Sequence, residues 1–310
     1  MSNKFKSPEY IELRNKKFRL FSFSELSTYE ECPKKYNYQY VQKIKTINNV
    51  YSYLGTLVHD HIEKFYEKGF KSNEDMVMNY LKEYDTSPFL FRGETYGCEG
   101  KECTNYRKAT VDYLKNLKPL NIKFDQEKLV YLPLTLITED EFFTNFAFHG
   151  YVDLIIYHKN SISIIDYKTS TWYTGEDKKK KSYQLILYAL ALEKVYGFSI
   201  NKIAWDFVKY ADIKYKVGKS ERSKKMKRNE LDKMSQKNVS EIKHAIEFIE
   251  YTEESKQEAI DWVIKTLKKC ENLKHNNLKV NELQSKNVDG DFFCHNLCPF
   301  YEKCKLEKNA

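Results

Sequence analysis

Two aspartates and a lysine stand where hydrophobic strands would otherwise run unbroken. Asp153 interrupts Val152, Leu154, Ile155 and Ile156; Asp166 follows Ile162, Ile164 and Ile165, with Lys168 two residues on. Lys159 and Asn160 lie between the two runs as a two-residue turn, so the runs are expected to pair as a hairpin. If His158 pairs with Ser161, stepping back along both strands sets Asp153 directly across from Asp166, with Cβ atoms about 5 Å apart. Lys168 then projects from the same face as Asp166, because side chains alternate along a strand. Opposed like charges among apolar residues destabilise a sheet unless something neutralises them. A divalent cation such as Mg2+ or Mn2+, held by hard carboxylate oxygens, would do so. The pattern also allows a solvated rim with Lys168 as an ion-pair partner.

The cysteines form a second set with chemistry. Cys294, Cys298 and Cys304 are spaced C-x3-C-x5-C beside His295, and thiols this close point to a metal more than to buried cysteines. A fourth ligand is needed, and Cys32, followed by Pro33 at a helix break, is the candidate. Such a site would staple the two ends of the chain around the residues between them. Zinc, held by four cysteines or by three cysteines and a histidine, is one possible occupant. Cys98, Cys103 and Cys270 lack partners of matching spacing and are expected as thiols.

The elements that position these groups can be read in outline. Ser22 and Glu25 make a capping box that opens a helix, and Pro33 breaks it. Helices are expected over about 53–68, stopped by Gly69, and over 73–84. Runs at 129–137, 142–148, 151–157 and 162–168 predict a small sheet, followed by a helix over 182–196 and a strand over 202–209. Residues 214–228 hold eight basic residues and one acidic, and read as a mobile loop before a long helix over about 239–272.

With 41% hydrophobic residues in 310, the chain can bury a substantial core. No stretch approaches the roughly 18 apolar residues of a membrane span, and the first residues lead into no secretory signal. A cytoplasmic protein with no membrane partner is therefore expected. Ten glycines and six prolines are too few for a collagen-like chain. A net charge of +8 permits a polyanionic partner without requiring one. Lys178 to Lys181 and residues 214–228 could flank one cleft, with some of the 25 tyrosines and 19 phenylalanines stacking on single-stranded bases.

The run His149-Gly-Tyr-Val-Asp153, followed by Ile164-Ile-Asp166-Tyr-Lys168, resembles the Gly-x-x-Asp and Asp-x-Lys motifs of the PD-(D/E)XK nuclease superfamily, specifically its RecB-type branch. Gly55-Thr-Leu-Val-His59 resembles the Gly-x-x-x-His element of that branch, and Gln184-Leu-Ile-Leu-Tyr188 its Gln-x-x-x-Tyr motif. The resemblance implies an α/β fold: a restriction-endonuclease-like core, with a small mixed sheet flanked by helices, N-terminal helices and a C-terminal metal-cluster staple. One nuclease domain over 1–310 is expected. Its helical N-terminal part, 1–90, carries Cys32 and His59; the catalytic core covers 125–210, a basic loop and helical insertion 211–283, and the cysteine-rich tail 284–310.

The resemblance further implies that His59, Asp153, Asp166 and the Tyr167 carbonyl hold Mg2+ or Mn2+, and that Lys168, with Gln184 and Tyr188, serves phosphodiester hydrolysis. The implied activity is exonucleolytic, on DNA that is single-stranded or has free ends, in recombination, repair or CRISPR-like processing. His61 diverges from His59 on a helix, and the family pattern selects His59. Members of this branch hold a 4Fe-4S cluster on one early and three late cysteines, which Cys32, Cys294, Cys298 and Cys304 resemble. The usual late spacing is C-x2-C-x5-C, and here His295 stands where a cysteine normally does. Gly218-Lys219-Ser220 lacks the earlier glycine of a phosphate-binding loop, since Ile213 occupies that place. The chain would thus either act alone or join an ATP motor supplied by a helicase or recombination partner. A catalytically silent nucleic-acid-binding or scaffold protein is the alternative, against which the intact Asp153, Asp166 and Lys168 set argues.

Overall fold

The structure, a computed structural model, describes residues 8–46, 49–89, 100–234, 238–275 and 292–308. The chain enters through helix α1 (Pro8–Asn15) and strand β1 (Arg19–Phe21). The Ser22 side chain then accepts the Glu25 N–H and caps α2 (Phe23–Glu31), as its capping box predicts. Pro33 starts the short α3 (Pro33–Tyr36) at a position where no helical N–H is required. Asn49 caps α4 (Val50–Tyr66) and Ser72 caps α5 (Asn73–Asp85), and α6 (Lys101–Lys115) follows.

Strands β2 (Phe124–Pro133), β3 (Phe146–Tyr157) and β4 (Ile162–Lys168) lead through helix α7 (Gly175–Lys194) to β5 (Ile200–Val217), β6 (Ser220–Lys227) and β7 (Val239–Ile249). Helices α8 (Glu253–His275) and α9 (Tyr301–Lys308) complete the described elements. Among the described residues the strands form one mixed seven-stranded sheet in the order β1-β3-β4-β5-β6, with β2 also on β3 and β7 also on β5. β3 and β4 are antiparallel and pair Leu154 with Ile165 and Tyr157 with Ile162, the register set by the Lys159-Asn160 turn. β4 and β5 are parallel, so α7 is the crossover that this pairing demands.

The sheet is buried on both faces, which explains why β3 and β4 read as continuous apolar runs. One face packs Val152, Ile164 and Trp205 against Leu26 of α2, Leu185 of α7 and Val263 of α8. The other packs Leu154, Tyr167 and Val208 against Leu57 of α4, Tyr80 of α5 and Tyr113 of α6. Each large apolar side chain so buried contributes about 1.5–3 kcal/mol. No helix among the described residues is long and apolar enough to cross a membrane.

Several elements differ from expectation. The run at 129–137 bends into a 3-10 turn after Pro133, and 142–148 and 151–157 are one strand entered at Phe146. Helix α7 begins at Gly175, so Lys178 to Lys181 lie within it; these lysines ion-pair in part with Glu247, Glu258 and Glu31. The expected mobile loop at 214–228 is instead the end of β5 and the whole of β6, a hairpin turning at Gly218 with φ +61°. The expected helix at 239–272 is strand β7 followed by α8. Cys103, expected as a thiol, is disulfide-bonded, since spacing alone carries no pairing information; Cys98 lies outside the described residues.

Candidate active site

The paired positions of β3 and β4 end at Leu154 and Ile165. Beyond them the Tyr167 N–H turns to a side chain, donating to Asp153 Oδ2 at 2.7 Å. The carboxylate thus takes over a ladder bond at the point where the sequence places charge. Helix α4 supplies His59, whose Nδ1 lies 3.4 Å from the same Oδ2. His61 instead faces the second core, with Nδ1 2.8 Å from the Leu57 carbonyl and its ring stacked on Phe70.

Asp166, 3% exposed, holds Lys168 Nζ at 2.5 Å. The same ammonium donates to Gln184 Oε1 at 2.9 Å, and Gln184 Nε2 donates to the Tyr188 hydroxyl at 3.1 Å. Gln184 and Tyr188, one turn apart on α7, therefore fix the lysine from the opposite face of the sheet to His59.

Two glycines explain motif positions sterically. A Cβ on Gly150 would stand 2.5 Å from Tyr188 Cε1, so only glycine lets β3 pass beneath that ring. A Cβ on Gly55 would stand 3.2 Å from Thr169 Oγ1, where α4 meets the end of β4. Replacing Gly150 by alanine is expected to displace Tyr188, release Gln184 and cost about 1–3 kcal/mol in urea denaturation. A variant as stable as the parent would show that the close approach positions nothing.

One ligand candidate was invisible in the sequence. Glu127 of β2 lies between Gln126, paired with Leu154, and Lys128, paired with Val152, and so stands across from Asp153. Its φ of +46° is unusual for a residue with a side chain. Ligand atoms of His59, Glu127 and Asp153 all lie within 4.8 Å of one another. An isolated Glu in a half-polar strand carries no signal; only the β2–β3 pairing reveals it.

The electrostatics are those of a buried site with excess negative charge. Burial opposes the charge on His59, but the Asp153 carboxylate outweighs it and raises His59 to about 9. Burial likewise works against ionised Asp153, but His59, Lys168 and the Tyr167 N–H hold it below the usual carboxylate range. Asp166 is pushed up to about 6 by burial, with the Asp153 charge adding to it, because one lysine cannot offset both. Imidazole nitrogen and carboxylate oxygens in such a place fit a hard divalent cation.

A ligating His59 must first lose its proton, so metal affinity depends on pH. Between Asp166 at about 6 and His59 at about 9, Mn2+ affinity is expected to rise about tenfold per pH unit, with one proton released per ion. Calorimetric titrations in buffers of different ionisation heat measure both quantities. A flat profile would exclude His59 as a ligand.

The sequence matches the model of the PD-(D/E)XK nuclease superfamily over residues 20–305. The chain belongs to that superfamily. No curated relative matches it. Among solved structures it is similar to a protein from Eubacterium rectale named "Putative exonuclease", at 12% identity and a TM-score of 0.45, covering 88% of each chain. In this PD-(D/E)XK chain the match extends over β5, β6, β7 and α8, which the motifs alone did not reach.

The four cysteines also come together. Cys32 joins α2 to α3, with its Sγ accepting the Lys35 N–H at 3.4 Å. It lines one small cavity with Cys294, Cys298 and Cys304. Burial raises the Cys298 thiol, and the neighbouring Cys32 and Cys304 add to that. Lys34 pairs with Glu307 at 3.0 Å, and Asn49 donates to the Leu297 carbonyl at 3.1 Å, so the tail is docked on the N-terminal helices by ordinary contacts as well. Among the described residues, no three of these sulfurs lie within 4.8 Å of one another. His295 packs its ring against Tyr301 at 4.3 Å and does not line the cavity.

Proposed function

We propose that the chain is a Mg2+- or Mn2+-dependent deoxyribonuclease, acting from DNA ends in recombination, repair or CRISPR-like processing. The observation that carries this reading is the buried convergence of His59, Asp153, Asp166 and Lys168 where β3 and β4 part. The superfamily supports the reaction class. His59, Asp153, Asp166 and the Tyr167 carbonyl, with Glu127 beside them, are the groups that would hold the cation. When bound, the cation supplies Lewis-acid stabilisation of the scissile phosphate and activation of water.

The chain's own groups do the rest. Lys168, held by Gln184, points a fixed ammonium at the phosphate oxygens and stabilises charge as it develops. Gln184 and Tyr188 are positioning residues, since they act through that lysine. Burial of the carboxylates keeps the site's charge poorly screened, so each of these interactions is strong.

Cys32, Cys294, Cys298 and Cys304 hold a 4Fe-4S cluster with a structural role. One early and three late cysteines lining one cavity support the cluster, and zinc is the rival occupant. Anaerobically purified protein should be brown, with stoichiometric iron and sulfide; a colourless protein with stoichiometric zinc would reverse this assignment.

Incubating end-labelled single- and double-stranded DNA, and circular single strands, with Mg2+ or Mn2+ tests the activity. Linear DNA should be shortened from its ends, circles should survive, and chelator should stop the reaction. A chain that cuts neither substrate with either metal is not a nuclease.

A further inference from the structure

A second cavity of ≈ 250 Å³ opens beyond the carboxyl ends of β4 and the β4-paired part of β5. Lys209 and Lys227 enter it from β5 and β6, Tyr51 from the first turn of α4, Thr171 from the segment after Lys168, and Phe292 from the start of the tail. Two chain distances tie it to the reaction centre. Thr171 is three residues past Lys168, at most about 11 Å away along the chain. Tyr51 is eight residues before His59 on one helix, a rise of about 12 Å. The volume is smaller than that of a usual whole-ligand pocket, about 300–1,000 Å³, and suits one part of a polymer.

The lining is chemically selective. Lys209 Nζ lies 4.7 Å from the centre of the Tyr106 ring, and among the described residues no carboxylate lies within ion-pair distance of it. Glu102, whose charge reaches it, is engaged by the Tyr51 hydroxyl at 2.5 Å. Burial, with Lys227 adding like charge, lowers Lys209 to about 8, which an anion at this place would reverse. Phe292 is 54% exposed, and its ring meets Tyr51 edge to face at 5.9 Å. A partly buried lysine with an exposed one at its side, next to an exposed aromatic, is what a nucleotide requires: cations for the phosphate and a flat apolar ring for the base.

We propose that this cavity is a nucleotide subsite of the nuclease reading above: Lys209 and Lys227 take a phosphate near the scissile one on a single DNA strand, and Phe292 stacks on its base. The subsite rests on that reading but is tested apart from it, by binding of a fluorescein-labelled oligothymidylate to the full chain in chelator. Lys209→Met, which keeps the packing on Tyr106, should weaken binding about tenfold and reduce the slope of log affinity against log salt by about 0.7. Phe292→Ala should weaken binding by a similar factor with the slope unchanged. Lys202→Ala, which removes a lysine stacked on Phe248 elsewhere, should change neither. Thermal melts report that each variant is folded.

If the lysine and phenylalanine variants both bind within twofold of the parent with the same salt slope, the subsite is wrong, as it is if the parent does not bind the oligonucleotide. Binding through Lys209 by a chain that cuts no DNA with Mg2+ or Mn2+ would leave the subsite and overturn the nuclease. Tight binding of free thymidine monophosphate, with the oligonucleotide unaffected by Lys209→Met, would make the cavity a mononucleotide site and refute the proposal.

Discussion

Replacing Lys168 by methionine is expected to lower single-turnover DNA cleavage by about a thousandfold, the scale on which loss of one fixed donor to a developing oxyanion acts. The ammonium is held by Asp166 at 2.5 Å and Gln184 at 2.9 Å, so its position is set before substrate arrives. Methionine keeps the unbranched stem and removes only the charge and its donors. Mn2+ affinity should stay level or rise, because the lysine is no ligand and its charge repels a cation. The variant should also unfold more easily, since Asp166 would remain buried without its partner, a loss of about 3–5 kcal/mol in comparable pairs. Cleavage reduced less than tenfold would remove Lys168 from the reaction centre.

The second large effect concerns Asp153. An Asp153→Asn variant keeps an oxygen to accept the Tyr167 N–H, so the strand end should survive. It loses the charge that His59 faces at 3.4 Å. Mn2+ affinity should fall by about a hundredfold or more, since even groups that only orient metal ligands are worth 10–100-fold. Cleavage should become undetectable with it. His59, now left with Asp166 and Glu127 against the penalty of burial, should fall from about 9, as a histidine NMR titration would follow. A variant whose His59 still titrates near 9 would mean that another group sets its charge.

How much of this could be read beforehand follows from which signals are local. The β3–β4 register was legible because a two-residue turn fixes it and apolar runs flank it. Capping at Ser22 and the break at Pro33 were legible for the same reason. Strand β7 was not. Register shifts in its pairing with β5 move its apolar residues, Val239, Ile242, Ala245, Ile246 and Ile249, onto spacings of three and four that mimic a helix. β6 has almost no apolar face, and its strand character comes from pairing Lys224 with Ile213 and Met226 with Ala211 of β5. Glu127 required knowing that β2 lies beside β3, and Lys209 required knowing where β5 leaves β4. Positions carried on one hairpin were readable; positions brought together across strands were not.

Diffraction from crystals soaked in Mn2+, collected where manganese scatters anomalously, tests the central claim without reference to activity. The account predicts a peak within bonding distance of His59, Asp153, Asp166 and the Tyr167 carbonyl, with Lys168 drawn off Asp166. A saturated crystal with manganese only elsewhere, and with the Asp153 and Asp166 oxygens too far apart to share an ion, would contradict it.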